Sequence, residues 1–384
     1  MKINETTFTK LIRIALLACS GLLSVQAAGQ ESAERSLAQN AWEGFLPIQQ
    51  DGKWGYINRL GEVVIKPQFD SAEPFAEGLA LVRYPPRKKP LKPGAKTQEL
   101  VEGMGYIDQT GKIVIELDSP LHLNGESFSE GLTKYWTWDP SRGNLYGYID
   151  TSGKIQIKAG FTYAWSFVDG LAAVCTEWQK CGFINKAGEF VIEPKYRVTH
   201  SFQEGLALAG HEYLLIGFIN KSGEMVIEPQ FGNLFGTGFR EGLSVVAYSF
   251  GKFGYINTEG AIVIPMQFEM AQPFSEGLAA VRVNSKWGYI DKAGKFVIEP
   301  QFGGAGPFSE GLAPVSNSDF MSATRSDEEQ ATAVSGFIDK QGKMVFTLPF
   351  DTASGFVNGI SRVRVGIKSG YIDKTGKYIW QPSN

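Results

Sequence analysis

A chain of 384 residues could form two or three ordinary domains, but its internal repetition indicates a single repetitive array instead. Its 45 glycines, 18 prolines and 12% aromatic residues are typical of a turn-rich β protein and exclude a largely disordered chain. With 37 basic and 40 acidic residues, the charge balance gives no reason to expect a nucleic acid as partner.

The first 28 residues are predicted to be a secretory signal peptide. Basic residues precede an apolar run over residues 14–25, which is short for a membrane span, and small residues follow it. The sequence therefore predicts an exported protein, periplasmic or extracellular, with no transmembrane segment in the mature chain. A weak lipobox leaves a lipid anchor on Cys19 as an alternative. Residues 29–44 are polar and are predicted to form a tether.

Residues 45–382 are predicted to be a domain of repeated units, each about 35 residues long. In one copy, residues 288–291 and 295–298 are predicted strands, here named A and B. The residues from Asp291 to Gly294 between them are typical of a type I turn followed by a left-handed glycine. Pro300 is predicted to end strand B because it has no N–H group for the ladder. A corner at Glu310-Gly311 then leads into a further strand, named C.

The hairpin turn recurs nine times, and its first residue is always aspartate or asparagine. The first residues are Asn58, Asp108, Asp150, Asn185, Asn220, Asn257, Asp291, Asp339 and Asp373. The closing glycines are Gly61, Gly111, Gly153, Gly188, Gly223, Gly260, Gly294, Gly342 and Gly376. These short side chains bond to their own turn, so we interpret them as turn residues rather than catalytic carboxylates.

The corner glycine recurs eight times, and all but one copy have an acid before it. The preceding residues are Glu77, Glu130, Asp169, Glu204, Glu241, Glu276, Glu310 and Asn358. We interpret the acid as a cap on the backbone N–H groups of the corner. The alternative is a row of carboxylates that binds cations.

This motif resembles the bacterial WG-containing repeat, also called the KWG repeat, over residues 45 to 381. The name-giving residues occur at 53–57 and 286–290, both KWGYI. The tryptophan position holds another residue elsewhere, namely Met104, Tyr146, Cys181, Ile216, Phe253, Ser335 and Ser369. The resemblance implies a β-rich repeat fold and brings no catalytic residues with it.

Nine whole units fit the chain when each is taken as strands C, A and B in order. The first covers residues 45–67 and the last residues 359–382. A closed propeller often splits one unit between its termini, and no unit is split here. The sequence therefore predicts an all-β, open tandem array of nine three-stranded antiparallel meanders. A closed propeller-like ring is the alternative. Aromatic residues such as Tyr289, Phe302 and Phe308 are predicted to form the core between units.

Three units are lengthened, and each insertion falls in the turn between strands C and A. The insertions lie near residues 84–103, 136–145 and 316–334. Insertions at one topological position are expected on one face of a repeat array. The third is acidic and predicted to be flexible.

Two of the insertions carry candidate contact residues. In the first, Arg87, Lys88, Lys89 and Lys92 suit an acidic polymer or anionic lipid head groups, although a solvated loop explains them as well. In the second, Trp136, Trp138 and Tyr146 suit stacking on sugar rings or anchoring a protein partner, with core packing as the alternative.

Cys175 and Cys181 remain after removal of the signal peptide, on two predicted strands that flank one turn. In an exported protein, this spacing predicts a disulfide across the hairpin, with a redox-active pair as the alternative.

The motifs of nucleophilic catalysis, phosphate binding and dinucleotide binding do not occur, and the histidines lack metal-ligand spacing. We therefore predict no catalytic residues, no cofactor and no metal site. The predicted function is an exported, non-catalytic scaffold that binds a protein or a cell-wall glycan through the face with the insertions. The alternative is a carbohydrate-acting enzyme with a site in a groove or channel of the array. The sequence leaves the oligomeric state open.

Overall fold

The computed structural model describes residues 44–88, 100–101, 103–117, 121–177, 180–210, 215–231, 238–247, 252–318 and 335–383. Over these residues the chain forms 36 β-strands, in nine antiparallel sheets and one two-stranded hairpin. We number the sheets as blades 1 to 9 in chain order. The predicted signal peptide, the alternative anchor at Cys19 and nearly all of the predicted tether lie outside the described residues.

Within each blade, the strands pair in the order in which they occur in the chain. Blade 1 contains Leu46–Gln50, Lys53–Ile57 and Val63–Phe69. Blade 2 contains Ser71–Ala72, Ala80–Arg83, Met104–Ile107 and Ile113–Ile115, and its insertion forms the hairpin Arg87–Lys88 with Leu100–Val101. Blade 3 contains Leu121–Leu123, Leu132–Asp139, Gly143–Asp150 and Ile155–Phe161. Blade 4 contains Tyr163–Ala164, Ala172–Glu177, Lys180–Ile184 and Phe190–Tyr196.

The second half of the molecule repeats this arrangement. Blade 5 contains Val198–Thr199, Ala207–Gly210, Ile216–Ile219 and Met225–Phe231. Blade 6 contains Leu243–Ala247, Phe253–Asn257 and Ile262–Phe268. Blade 7 contains Met270–Ala271, Ala279–Val283, Lys286–Ile290 and Phe296–Phe302. Blade 8 contains Gly304–Ala305, Ala313–Ser316, Ser335–Ile338 and Met344–Thr347. Blade 9 contains Thr352–Ala353, Ile360–Val365, Lys368–Asp373 and Tyr378–Ser383.

A fourth, very short strand precedes strand C in seven of the blades. In blade 8 it is Gly304–Ala305, which begins two residues after strand B of blade 7 ends at Phe302. It pairs with the end of strand C, Gly304 opposite Ser316. The sequence predicted three strands per unit because two paired residues are too few to produce a hydrophobic period.

Strand B continues past its proline, so the prediction that Pro300 ends it is wrong. Pro300 lies within Phe296–Phe302, on the edge strand of the blade, and the ladder to strand A shifts register between Trp287 and Tyr289. Proline is tolerated at such an edge bulge because no partner strand needs its N–H group. A Cβ atom on Gly288 would lie 2.6 Å from the carbonyl oxygen of Ile298 and 2.7 Å from the Pro300 nitrogen. The glycine that follows the tryptophan position therefore makes room for the bulge.

The hydrophobic core lies between neighbouring blades. Tyr289 of blade 7 and Phe308 of blade 8 are fully buried, with ring centroids 4.9 Å apart. Phe302 is half-buried at the margin of the same cluster. The prediction of an aromatic core between units is therefore confirmed for Tyr289 and Phe308, while Phe302 is only partly enclosed.

The nine blades form a closed ring, a nine-bladed β-propeller. An open array of nine blades has eight seams, whereas the described residues form nine seam clusters. The ninth brings Leu46 and Ile48 of blade 1 against Ile360 and Tyr371 of blade 9. The Tyr371 hydroxyl donates to the buried carbonyl of Pro47 at 2.8 Å. The open array is not confirmed, and the alternative of a closed ring matches the structure. Blade 9 closes the ring by packing its face against blade 1, so closure does not require one unit to be divided between the two ends of the chain.

The closing seam uses a tyrosine donor at the same position of strand A as an internal seam, which makes closure testable. Tyr289 donates to Gly306 of the next blade at 2.9 Å, as Tyr371 does to Pro47. Tyr371→Phe leaves a buried carbonyl without its donor and should lower the free energy of unfolding by about 1–3 kcal/mol in urea denaturation. Tyr289→Phe, the matched change inside the ring, should cost a similar amount. If only Tyr289→Phe is destabilising, blade 9 does not pack on blade 1 in solution.

The predicted hairpin turns have the expected local chemistry. Asp291 Oδ1 accepts hydrogen bonds from the backbone N–H groups of Ala293 and Lys295 at 3.0 and 2.9 Å. The first residue of each of the other eight turns accepts the equivalent bonds. These side chains are therefore committed to their own turns.

The corner acids cap a corner, but the corner belongs to the next blade. Glu276 accepts a hydrogen bond from the N–H group of Gly311 at 3.0 Å, and its carboxylate lies 3.2 Å from Lys340 Nζ in blade 8. Glu310 makes the same pair of contacts with Gly359 and Lys374. Partial burial acts to raise the pKa of Glu310, but the bonds from Lys374 and Gly359 outweigh it and hold the pKa below its usual value. These two carboxylates therefore link neighbouring blades around the ring. Each is bound by a lysine and a backbone N–H group, which differs from the row of cation-binding carboxylates that was the alternative.

Candidate functional site

The second insertion lengthens two strands of blade 3 into a long hairpin. The strands Leu132–Asp139 and Gly143–Asp150 each have eight residues. Asp139 accepts hydrogen bonds from the backbone N–H groups of Ser141 and Arg142 at 2.9 and 3.0 Å, which fixes the turn. The insertion is therefore an ordered extension of the sheet, and residues on it have defined neighbours.

The hairpin carries aromatic side chains on one face. Trp136 is directly opposite Tyr146 on the neighbouring strand and opposite His122 on the other side. Opposed residues of antiparallel strands lie on the same face, with Cβ atoms about 5 Å apart. The rings of His122 and Trp136 are stacked, with centroids 4.1 Å apart and planes inclined by 17°. Trp138, two residues further along the strand, lies on the same face and is 62% exposed.

The row of rings continues across the short strand of blade 4. Tyr146 lies 6.3 Å from Tyr163, and Tyr163 lies 5.5 Å from Trp165, between ring centroids. Trp165 in turn lies 6.5 Å from the ring of His200 in blade 5. Tyr163 is 56% exposed, whereas Trp165 is half-buried. We call the following six residues the aromatic surface: His122, Trp136, Trp138, Tyr146, Tyr163 and Trp165.

An ion pair between a buried lysine and a partly exposed glutamate lies beside this surface at the seam of blades 3 and 4. Lys134 Nζ is 2.7 Å from Glu126 Oε1 and donates to the carbonyl oxygen of Ala164 at 2.8 Å. The Glu126 carboxylate also accepts hydrogen bonds from Asn124 at 3.0 Å and Ser166 at 3.2 Å. The lysine side chain is only 8% exposed, and Glu126 of the same blade offsets its charge. The bonds to Ala164 and from Ser166 join this pair to blade 4.

The phenol of Tyr146 is uncharged at neutral pH. Burial raises its pKa above the ordinary value, and the neighbouring Tyr163 adds to this effect. The aromatic surface therefore presents rings and hydroxyl groups beside an ion pair whose charges cancel.

Other blades place different residues at the positions of Trp136 and Tyr146. The opposed pairs are Gln49 and Trp54, Arg83 and Met104, Cys175 and Cys181, Ala247 and Phe253, Arg282 and Trp287, Ser316 and Ser335, and Arg364 and Ser369. The scaffold accepts polar, apolar and cross-linked pairs at this position. An aromatic residue recurs at the Tyr146 position, as Trp54, Phe253 and Trp287, but among these pairs blade 3 alone has a second aromatic residue, Trp136, opposite it.

Cys175 and Cys181 face each other on adjacent strands of blade 4, and a disulfide joins them. Both side chains are buried, and Tyr163 is opposite Cys175 on the short strand. The disulfide thus ties together the two strands beside the exposed Tyr163.

The structure brings together some of the sequence-predicted contact residues. Trp136, Trp138 and Tyr146 form one surface, partly exposed and partly packed against the core of the seam. Arg87 and Lys88 form one strand of the short hairpin in blade 2, whereas Lys89 and Lys92 lie outside the described residues, as does most of the third insertion. The basic candidate site therefore stays a prediction.

Sequence reasoning missed three members of the aromatic surface. His122, Tyr163 and Trp165 belong to or directly follow the short strands, which the repeat pattern did not predict. Once those strands are aligned, the sequence shows that blade 4 has large aromatic residues where other blades have small ones. Tyr163 corresponds to Ser71 in blade 2 and to Gly304 in blade 8, residues with far less apolar surface.

Among the described residues, no group of three or more histidine, cysteine, aspartate or glutamate side chains is placed to hold a metal ion. Within the same ranges, we find no helix with the length and apolar character needed to cross a membrane.

A family model described as "WG containing repeat" matches residues 54–84, 104–118, 146–177, 182–210, 216–247, 253–287, 287–319 and 336–367. Together these segments cover more than half of the chain. A comparison with curated proteins gives no match.

Solved structures show only a distant likeness. BamB from Moraxella catarrhalis is 10% identical with a TM-score of 0.43, covering 77% of this chain and 97% of its own. The computationally designed Ika8 protein is 12% identical with a TM-score of 0.41, covering 71% and 90%. The WD40 β-propeller domain of Doa1 is 12% identical with a TM-score of 0.31, covering 65% and 88%.

Proposed function

This chain belongs to the WG containing repeat family, and we propose that it is a non-catalytic ring scaffold that binds a cell-envelope ligand through the aromatic surface. The observation that carries the proposal is the concentration of neighbouring aromatic side chains on blades 3 and 4, where Trp136 faces both His122 and Tyr146 and the row continues to Tyr163 and Trp165. Partly exposed tryptophan and tyrosine side chains are the residues that most often dominate binding energies at interfaces.

The ring supports such a role because it holds these side chains in place. The strands of the blade 3 hairpin are paired along their whole length. Two hydrogen bonds join blade 3 to blade 4, from Lys134 to the carbonyl of Ala164 and from Ser166 to the carboxylate of Glu126. A binding surface on paired strands is positioned more rigidly than one on a loop, which reduces the entropy lost on binding.

We place the protein outside the cytoplasm. The disulfide between Cys175 and Cys181 supports this placement, since such bonds persist in oxidising compartments. The apolar segment at residues 14–25 agrees with export.

The alternative of a carbohydrate-acting enzyme has less support at this surface. Glycoside hydrolysis needs two carboxyl groups flanking the bond to be broken, one of them available as an acid. Glu126 is the carboxylate beside the rings, and Lys134, Asn124 and Ser166 already engage it. The surface is therefore better suited to holding a ligand than to cleaving one.

Capture from an envelope extract of the producing cell tests the proposal. The full exported protein, the double variant Trp138→Ala/Tyr163→Ala and a control variant Ile367→Ala are immobilised separately. Ile367 is 84% exposed and lies in the turn between strands C and A of blade 9, so its truncation removes apolar area elsewhere on the ring.

We expect the protein and the Ile367→Ala control to retain the same ligand. The double variant should retain at least about tenfold less, because loss of the two exposed rings together should cost about 1.4 kcal/mol or more of binding free energy. Both altered residues are more than half exposed, so the melting temperatures should stay equal. Equal retention by all three proteins would place binding elsewhere, and no retained ligand would overturn the proposal.

A further inference from the structure

We propose that the ligand of the aromatic surface is a glycan built of uncharged pyranose rings, bound along the row from His122 to Trp165. This inference rests on the proposed function and adds the chemical class of the ligand. Three properties of the surface carry it: the spacing of the rings, the cancellation of charge, and the polar groups between the rings.

The rings form a row rather than a single pocket. Successive centroids from Tyr146 to Tyr163 and on to Trp165 are 6.3 and 5.5 Å apart. This spacing is comparable to the length of one hexose unit in an extended chain. The ring planes are inclined to each other by 45° and 38°, so a glycan chain that twists between units can place successive apolar C–H faces against successive aromatic rings. The row runs from blade 3 across the short strand of blade 4. A linear ligand lying along it would extend from the seam of blades 3 and 4 towards the seam of blades 4 and 5.

The surface is electrically balanced, which suits a neutral ligand. Lys134 is neutralised by Glu126, and the Tyr146 phenol is protonated near neutral pH. Arg142, in the turn of the same hairpin, lies near the opposite charge of Asp139. A row of uncharged rings among such paired charges offers little long-range attraction to a phosphate polymer or an acidic peptide. A sugar polymer gains its affinity from stacking and hydrogen bonds instead.

Hydrogen-bonding groups border the rings. Asn144 is opposite Trp138 across the hairpin, and its side chain hydrogen-bonds the Tyr146 hydroxyl. The Thr162 hydroxyl donates to the carbonyl of Cys175 and keeps its lone pairs as acceptors. The Tyr146 and Tyr163 hydroxyl groups add two more. Sugar hydroxyl groups need such partners along their edges when their faces are covered by aromatic rings, because a desolvated hydroxyl without a partner costs free energy.

To decide whether the ligand is a glycan or a protein, the envelope extract is treated chemically or enzymatically before the capture described above. One portion is digested with protease, and a second is oxidised with periodate, which cleaves the vicinal diols of sugars, and then quenched. We expect capture that depends on Trp138 and Tyr163 to survive protease and to be lost after periodate. Cellohexaose and maltohexaose, both uncharged and both with a vicinal diol in every ring, are then titrated into the full protein while tryptophan fluorescence is followed.

At least one hexasaccharide should bind, and its affinity should fall about tenfold in Trp138→Ala/Tyr163→Ala while Ile367→Ala leaves it unchanged. The corresponding disaccharide should bind more weakly, because it covers fewer rings. Surface-dependent capture that protease abolishes and periodate spares would overturn the glycan assignment while leaving the proposed scaffold function intact. Loss of capture in every portion would overturn both.

Discussion

Replacing Gly288 by alanine is expected to lower the free energy of unfolding by about 3 kcal/mol or more. The added Cβ atom would lie 2.6 Å from the carbonyl oxygen of Ile298 and 2.7 Å from the nitrogen of Pro300. Both neighbours are backbone atoms of the bulged strand B, so no side chain can rotate away to relieve the contact. Urea denaturation followed by circular dichroism measures the loss.

Gly160→Ala is the matched control for this prediction. Gly160 also lies in a strand, Ile155–Phe161, but the nearest atom to a Cβ placed on it is 4.0 Å away. Its replacement should leave stability within about 0.5 kcal/mol. If Gly288→Ala lowers the free energy of unfolding as little as Gly160→Ala does, the bulge can shift to accept the methyl group. The recurrence of glycine at this position of the repeat would then need another explanation.

Phe274→Ala is expected to cost about 3–5 kcal/mol, as for truncation of a core aromatic residue. Phe274 is 1% exposed in the cluster between blades 6 and 7, and its ring meets Tyr255 edge to face with centroids 4.9 Å apart. The change leaves a cavity between two sheets that are each held by their own hydrogen bonds and cannot easily collapse on it.

The melting temperatures of Phe274→Ala and of the control variant Ile367→Ala are compared with that of the unaltered protein. Ile367 is 84% exposed, so its truncation should leave the melting temperature almost unchanged. An unchanged melting temperature for Phe274→Ala would contradict the assignment of the core to the seams between blades.

Local chemistry made the turns predictable. Asp291 and Gly294 specify a turn through the bonds of one short side chain and one backbone angle, and both act within four residues. The strands on either side follow from β-branched and aromatic residues. The repetition of these signals gave the number of units and the all-β class before any contact between units was known.

The errors arose where a residue acts on another part of the chain. Pro300 was predicted to end a strand, but an edge strand with a bulge tolerates it, and the sequence does not show which strands are edges. The acid before the corner glycine was interpreted as a cap on its own corner, whereas Glu276 reaches Gly311 of the next blade. The backbone of Glu276 is left-handed, with φ of 54°, and takes the chain around a tight two-residue turn.

The sequence by itself determined the repeat, its turns, the apolar faces of each blade, and the candidate aromatic residues Trp136, Trp138 and Tyr146. Only the tertiary structure decided that the ring closes and that Tyr163 and Trp165 of blade 4 extend the aromatic row of blade 3. The reason is geometric. Closure depends on a small rotation between neighbouring blades, summed over nine seams, and each rotation is set by side-chain packing rather than by any local pattern. The row of rings, likewise, exists only because face-to-face packing brings two separate blades to one surface.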